Sequence, residues 1–332
     1  MRRIVQRRLP DGSIRNVQPF HICMEGMETV VLCRDEEDYD AMVKIICLCA
    51  RRKNVIVIIY AVVSNHCHVA VLAVSQKDAD CFGAELKRIY SMWFSRKYGE
   101  NEILRNSDVK AIALDSDWYV RNALAYIPRN ALDNGCNVDT YPWSGYRAMF
   151  KGDANEALTG FRVNQLTKVE RRSIFHTGDN LKAVSWLLDK DKRLIPSSFC
   201  DTDYLEQVFN GEQAFFMKTI GILNPAEMHS KLVEQPRMRF SDSEFYKLVN
   251  EISLRFFKTD LSQISLTQKY RLLPYVKRSF HTTIPQLARA FGLTRDQVSA
   301  ALGEKRPKEG FSQTNPIDNE WPWPFPGKVQ GL

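Results

Sequence analysis

Asn65-His66-Cys67-His68 places two imidazoles one residue apart, directly after the apolar run Val55 to Val63. Side chains of a strand alternate between faces, so His66 and His68 are expected to point to one side, a few ångströms apart. Two imidazoles so placed can hold a divalent metal ion, because neutral imidazole is a common ligand. They can equally be half-buried polar residues bonded to backbone, and the surrounding elements must decide. The β-branched run reads as a buried strand, Ser64-Asn65 as a tight turn, and His68 to Val74 as the returning antiparallel strand. A histidine pair on a central hairpin is held rigidly, which suits catalysis.

Elements on either side of the hairpin complete an alternating pattern. Apolar stretches between residues 17 and 33 read as a first strand and its continuation, and Asp35-Glu36-Glu37-Asp38 opens a helix with acidic residues where its N-terminus favours them. A second helix is predicted from about Ala79 to Tyr98, with Leu86, Ile89, Trp93 and Phe94 as its apolar stripe. Its positive charges include Lys87 and Arg88, which a DNA-facing helix would use and a solvated face would also show. Val109 to Leu114 reads as one more strand. Asp115-Ser116-Asp117 then caps a third helix that buries Val120, Ala123, Leu124 and Ile127 on one face. Asn122, Tyr126 and Asn130 are spaced by four residues and line up on another face. Pro128 removes the hydrogen bond to the Leu124 carbonyl, so a kink is expected there.

A chain of 332 residues has room for two or three domains, and its 44% hydrophobic content is ordinary for a globular protein. The longest apolar run, Val55 to Val63, is too short for a membrane-spanning helix of about 20 residues, and the basic start is not followed by an apolar signal core. No membrane partner is therefore expected, and the cytoplasm is the expected location. Eight cysteines without paired C-x-x-C spacing argue for buried thiols rather than a disulfide framework or a zinc ribbon.

Beyond Tyr141-Pro142-Trp143-Ser144, which reads as the close of a first domain spanning 1–150, the pattern turns helical. Residues 151–265 are expected to be all-α, and 266–310 to form a helix-turn-helix segment. In the latter, Ile284, Leu287, Ala288 and Phe291 fit a first helix, Gly292 the turn, and Thr294 the cap of a second helix buried through Val298, Ala301 and Leu302. That arrangement leaves Arg295, Gln297 and Ser299 for base edges in a DNA groove. Thr267 to Gly310 carries nine Lys and Arg against three Asp and Glu, which is most of the net charge of +7. A purely structural helical hairpin is the alternative. The Pro- and Trp-rich tail, 311–332, is expected to be flexible.

With these residues in place, the first 150 positions resemble the single-tyrosine HUH transposases, in particular the REP-associated tyrosine transposase branch. The resemblance rests on Phe20-His21-Ile22, the acidic helix start at Asp35 to Asp38, Tyr60 to His68, Leu86-Lys87-Arg88, Asp115 to Tyr119, Tyr126-Ile127 with Asn130, and Tyr141-Pro142-Trp143-Ser144. It covers about 45% of the chain, the helix-turn-helix being the one firm feature of the rest. It departs from the family where Asn130 is followed by Ala131 and the proline stands at Pro128, and where Asp108 occupies a position that is commonly basic. The resemblance implies a ferredoxin-like α+β domain with a central antiparallel sheet. It implies Mg²⁺ or Mn²⁺ on His66, His68 and Asn130, with Tyr126 as nucleophile. The implied activity is cleavage and rejoining of single-stranded or hairpin DNA through a 5′-phosphotyrosine, in a monomer or a homodimer. A non-catalytic DNA-binding regulator derived from a transposase is the alternative.

Overall fold

The computed structural model describes residues 3–25, 31–100, 104, 107–133, 135–222, 240–280 and 282–303. It is mixed α+β. The strands β1 (Val5–Arg8), β2 (Ile14–Glu25), β3 (Ile56–Val62), β4 (Cys67–Ala73) and β5 (Asp108–Ala113) form an antiparallel sheet. The long strand β2 organises it. Along one edge β2 pairs with β4, and along the other it pairs first with β1 and then with β5. β3 lies outside β4, so the order across the site-bearing part is β5-β2-β4-β3. β4 is buried on both faces and β3 almost entirely so, which is why their sequences read as continuous apolar runs rather than alternating ones.

Two helices that pack on each other cover one face. α1 (Glu36–Arg52) starts where Asp35 accepts a hydrogen bond from the Asp38 N–H, as the acidic cluster leads one to expect. α2 (Gln76–Tyr98) is capped by Ser75 and ends at Gly99 in the left-handed conformation. Within α2, Gly83 lets the helix lie directly on the sheet. A Cβ there would stand 2.7 Å from Val109 and 3.4 Å from Ile22, so these two residues mark the α2 face. His21, between its neighbours on β2, must face the other way.

That other face is covered by α3 (Asp117–Asp133). The helix runs through Pro128 without interruption, and it is buried from Val120 to Pro128 on all sides rather than along one stripe. The reason is that later segments wrap its far side. After α4 (Ala154–Thr159) and α5 (Lys168–Phe175), α6 (Thr202–Val208) and α7 (Gln213–Ile222) close over it. Arg121 Nε donates to the Val208 carbonyl at 3.0 Å, and Arg129 Nη1 to the Ile220 carbonyl at 2.9 Å.

Three details differ from the sequence reading. The first strand does not continue through Val31 and Leu32; the Leu32 and Cys33 amides instead donate to the Ser64 carbonyl, bracing the turn before His66. Residues 151–265 are not purely helical, because β6 (Phe161–Arg162) pairs with β7 (Leu187–Leu188). Packing also does not stop at residue 150. The outer edge of β3 is closed by the Trp143 carbonyl, which accepts from Val62 N, and by Asp201 N, which donates to the Val57 carbonyl. Buried apolar residues up to Ile220 therefore share the core of the sheet.

A second core is built from α8 (Asp242–Phe257), α9 (Leu266–Phe280), α10 (Ile284–Phe291) and α11 (Arg295–Ala301). Phe245, Val249, Leu273, Leu287, Phe291 and Val298 fill it. Gly292, at φ 64°, makes the turn between α10 and α11, and Thr294 caps α11 in a reciprocal capping box with Gln297. Residues 311–332 lie outside the described residues. No described helix is long and apolar enough to cross a membrane.

Candidate active site

The histidine pair sits where β4 begins. The Val63 N–H donates to the His66 carbonyl at 2.9 Å, closing the turn, and His66 immediately precedes β4 while His68 lies within it. Their ring centroids are 4.8 Å apart. Strand register then brings in a third imidazole: Cys23 pairs with His68 and His21 with Ala70, so His21 and His68 are diagonal neighbours on one face. His21 Nε2 lies 3.1 Å from His68 Nδ1, and both rings are buried.

α3 supplies the other two groups. The Tyr126 ring packs edge-on against His68 at 5.2 Å and against His21 at 6.4 Å. One turn later, Asn130 Nδ2 donates to the Tyr126 and Ile127 carbonyls at 3.0 and 3.1 Å, which turns its Oδ1 toward His66 Nε2 at 3.3 Å. Asn65 Oδ1 lies 2.7 Å from His66 Nδ1, on the opposite edge of the ring. His66 thus sits between two amide oxygens. A ring with one proton donates to one of them and turns a lone pair to the other, an arrangement that a cation or a second proton stabilises.

Imidazole nitrogens and an amide oxygen are donor types that a divalent cation can accept. His66 Nε2 and Asn130 Oδ1 stand 3.3 Å apart and face each other. Among the described residues, no group of three or more His, Cys, Asp or Glu side chains is placed to hold a metal. Beside the imidazoles, the Asn130 amide oxygen is a further donor atom that faces His66.

The sequence reading placed His66, His68, Tyr126 and Asn130 together, and the structure brings these four together. His21 was noticed only as part of Phe20-His21-Ile22; its position on the strand beside β4 is what gives it a role. Lys110 was not singled out. It pairs in register with Cys23, so it is on the imidazole face of the sheet, and it is exposed.

The remaining candidates lie elsewhere. Lys87 donates from Nζ to the Ser107 carbonyl at 2.6 Å, fastening α2 to the segment before β5. Arg88, largely exposed, pairs with Glu85 one turn back on α2. It borders a cleft of about 280 Å³ between α1, α2 and Phe175 to Gly178. Arg295 is exposed and Ser299 half-exposed on α11. Gln297 accepts at Oε1 from the Thr294 N–H at 2.9 Å, so its amide is first a helix cap.

In comparisons with known proteins, no family model, curated protein or solved structure matches this chain.

Proposed function

We propose that this protein is a metal-dependent transposase or nuclease of the single-tyrosine HUH type, which cuts and rejoins single-stranded DNA through a 5′-phosphotyrosine. The observation that carries the reading is convergence. His66 and His68 from the hairpin, and Tyr126 and Asn130 from a helix some 60 residues later, meet at one place on the sheet. The reading takes β2 to β5 with α1 and α2 as the ferredoxin-like core that such an enzyme would have.

In this scheme His66, His68 and Asn130 hold Mg²⁺ or Mn²⁺, which when bound polarises a scissile phosphate and offsets charge that develops on it. Tyr126 loses its phenolic proton, its oxygen bonds to phosphorus, and the bond from phosphorus to the 3′-oxygen breaks. The released 3′-oxygen takes up a proton. Attack of a 3′-hydroxyl on the phosphotyrosine reverses the sequence and restores the phenol, so rejoining needs no nucleotide cofactor. In the same scheme Lys110, exposed on the imidazole face, would meet DNA phosphate. α10 and α11, read as a helix-turn-helix, would present Arg295 and Ser299 to a duplex portion such as a hairpin stem.

A second reading, a DNA-binding regulator that no longer cleaves, draws support from the burial of Tyr126, which is 6% exposed. One experiment separates the two. Wild-type protein is incubated with Mn²⁺ and a labelled single-stranded oligonucleotide carrying a hairpin, then resolved both in denaturing and in native gels. The enzyme reading expects a denaturant-resistant protein–DNA adduct; retardation in the native gel with neither adduct nor cleavage would favour the regulator.

A further inference from the structure

We infer that His21 is a positioning residue for His68: it accepts the His68 Nδ1 proton and so fixes the tautomer in which His68 presents an Nε2 lone pair to the site. The inference rests on the metal-binding reading above and concerns how that site is kept ready.

A neutral imidazole carries one proton, so in a bond between two neutral rings one nitrogen donates and the other accepts. His21 Nε2 and His68 Nδ1 are 3.1 Å apart, with the two rings 4% and 3% exposed. Bulk water therefore has little access to exchange those roles. If His68 donates, its proton is on Nδ1 and its Nε2 can ligate a cation. If His21 donates, His68 carries its proton on Nε2 and that edge cannot ligate. The hydrogen bond is thus a selector between a competent and an incompetent ring.

His66 shows the same construction with a different partner. There too Nδ1 is the nitrogen engaged by a neighbour, Asn65 Oδ1 at 2.7 Å, while Nε2 is the edge turned to Asn130. An amide oxygen can only accept, and of the two that flank His66 the Asn65 oxygen is the nearer, at 2.7 Å against 3.3 Å, which favours the Nδ1–H tautomer of His66. The two rings are alike in using Nδ1 for anchoring. His21 occupies for His68 the position that Asn65 occupies for His66. Its placement follows from sheet register, which sets His21 and His68 diagonally on neighbouring strands. The Tyr126 ring, 6.4 Å away by centroid, closes the third side.

The test uses full-length protein with two readouts, histidine tautomers from long-range ¹H–¹⁵N correlation spectra without metal, and Mn²⁺ affinity by calorimetry. In wild type, His68 is expected to carry its proton on Nδ1. His21→Phe keeps an aromatic ring but removes the acceptor, and should weaken Mn²⁺ binding about 10- to 100-fold. His21→Gln supplies an amide oxygen in place of the ring nitrogen and should recover a large part of that loss. A wild-type His68 protonated on Nε2 overturns the role of His21, as does unchanged Mn²⁺ affinity in a folded His21→Phe. Wild type that does not bind Mn²⁺ at all overturns the metal reading instead, and the tautomer spectrum still decides whether His21 accepts from His68.

Discussion

Arg121 donates from Nη1 and Nη2 to the two carboxylate oxygens of Glu244, each at 2.8 Å, across 123 residues of chain. Arg121 lies on the tyrosine-bearing helix α3, and Glu244 in the first turn of α8, where it also closes the capping box with Ser241. The pair therefore joins the second hydrophobic core to the helix that carries Tyr126. Glu244→Ala would leave a guanidinium that is 1% exposed without its carboxylate. The expected loss in urea denaturation is about 3 kcal/mol, the low end for breaking a buried pair, since the Val208 carbonyl still accepts from Nε. Glu244→Gln, which keeps an acceptor oxygen, should lose less. Equal stability of the alanine variant and wild type would show that the pair does not contribute.

Tyr126→Phe should abolish any covalent adduct with DNA while retaining the fold and most of the DNA affinity, because only the phenolic oxygen is removed from a ring that packs against His68. His66→Ala and His68→Ala should each remove metal-dependent cleavage, since one imidazole and one amide are too few protein ligands to hold the ion well. A denaturing gel in which the Tyr126→Phe adduct is as strong as that of wild type would reject this tyrosine as the nucleophile.

On α11 the prediction separates two neighbouring residues. Arg295→Ala should weaken hairpin DNA binding and lower the salt slope of the affinity, because a cationic side chain held in a DNA groove displaces counterions even where it reads a base edge. Gln297→Ala should mainly weaken the helix, because the Gln297 amide caps Thr294 and the Thr294 hydroxyl accepts from the Gln297 N–H. Fluorescence anisotropy across a salt series reads the first effect, and thermal unfolding the second. Identical salt slopes for wild type and Arg295→Ala would remove α11 from the DNA interface.

His176 supplies a pH dependence. Partial desolvation of this surface ring, which packs on Trp93, followed by the nearby Lys44 ammonium, holds its pKa below the ordinary value of 6.5. The unfolded chain therefore takes up this proton first as pH falls, and the stability that the neutral ring secures is present above 6.5 and lost on acidification through the folded-state pKa. His176→Asn cannot titrate there, and asparagine tolerates the positive φ of 47° at this position. Denaturation midpoints measured from neutral pH into the mildly acidic range should fall more steeply for wild type than for this variant. Parallel curves would mean that His176 does not contribute to the acid sensitivity.

The parts of this fold that were legible in the sequence are those with long local patterns. The β-branched run before Asn65, the acidic start of α1 and the Thr294 cap each announce themselves within a few residues. Tyr126 and Asn130 were legible as a pair because a helix turns spacing of four into adjacency. His21 was not, since its link to His68 depends on which strands pair, and a lone histidine in an apolar strand carries no local mark of that. Two-residue strands such as Phe161–Arg162 are too short to show a period. The all-round burial of α3 was hidden for a related reason: the segments that cover it lie about 90 residues further on, around Val208 and Ile220.

Asn130 offers the sharpest separation of ligand from scaffold. Its Nδ2 bonds support two carbonyls of α3, and its Oδ1 faces His66. Asn130→Ala removes both functions, with an expected cost of about 1 kcal/mol from the lost hydrogen bonds and weaker binding of Mn²⁺. Asn130→Asp has a carboxylate, the better ligand for a hard cation, but it cannot donate to the Tyr126 and Ile127 carbonyls. The aspartate variant should therefore melt below wild type without metal and gain more from added Mn²⁺, because a ligand that binds the native state raises Tm in step with its affinity. The alanine variant should melt low and gain less. If Mn²⁺ raises Tm by the same amount in all three proteins, Asn130 is scaffold only, and the ion sits elsewhere.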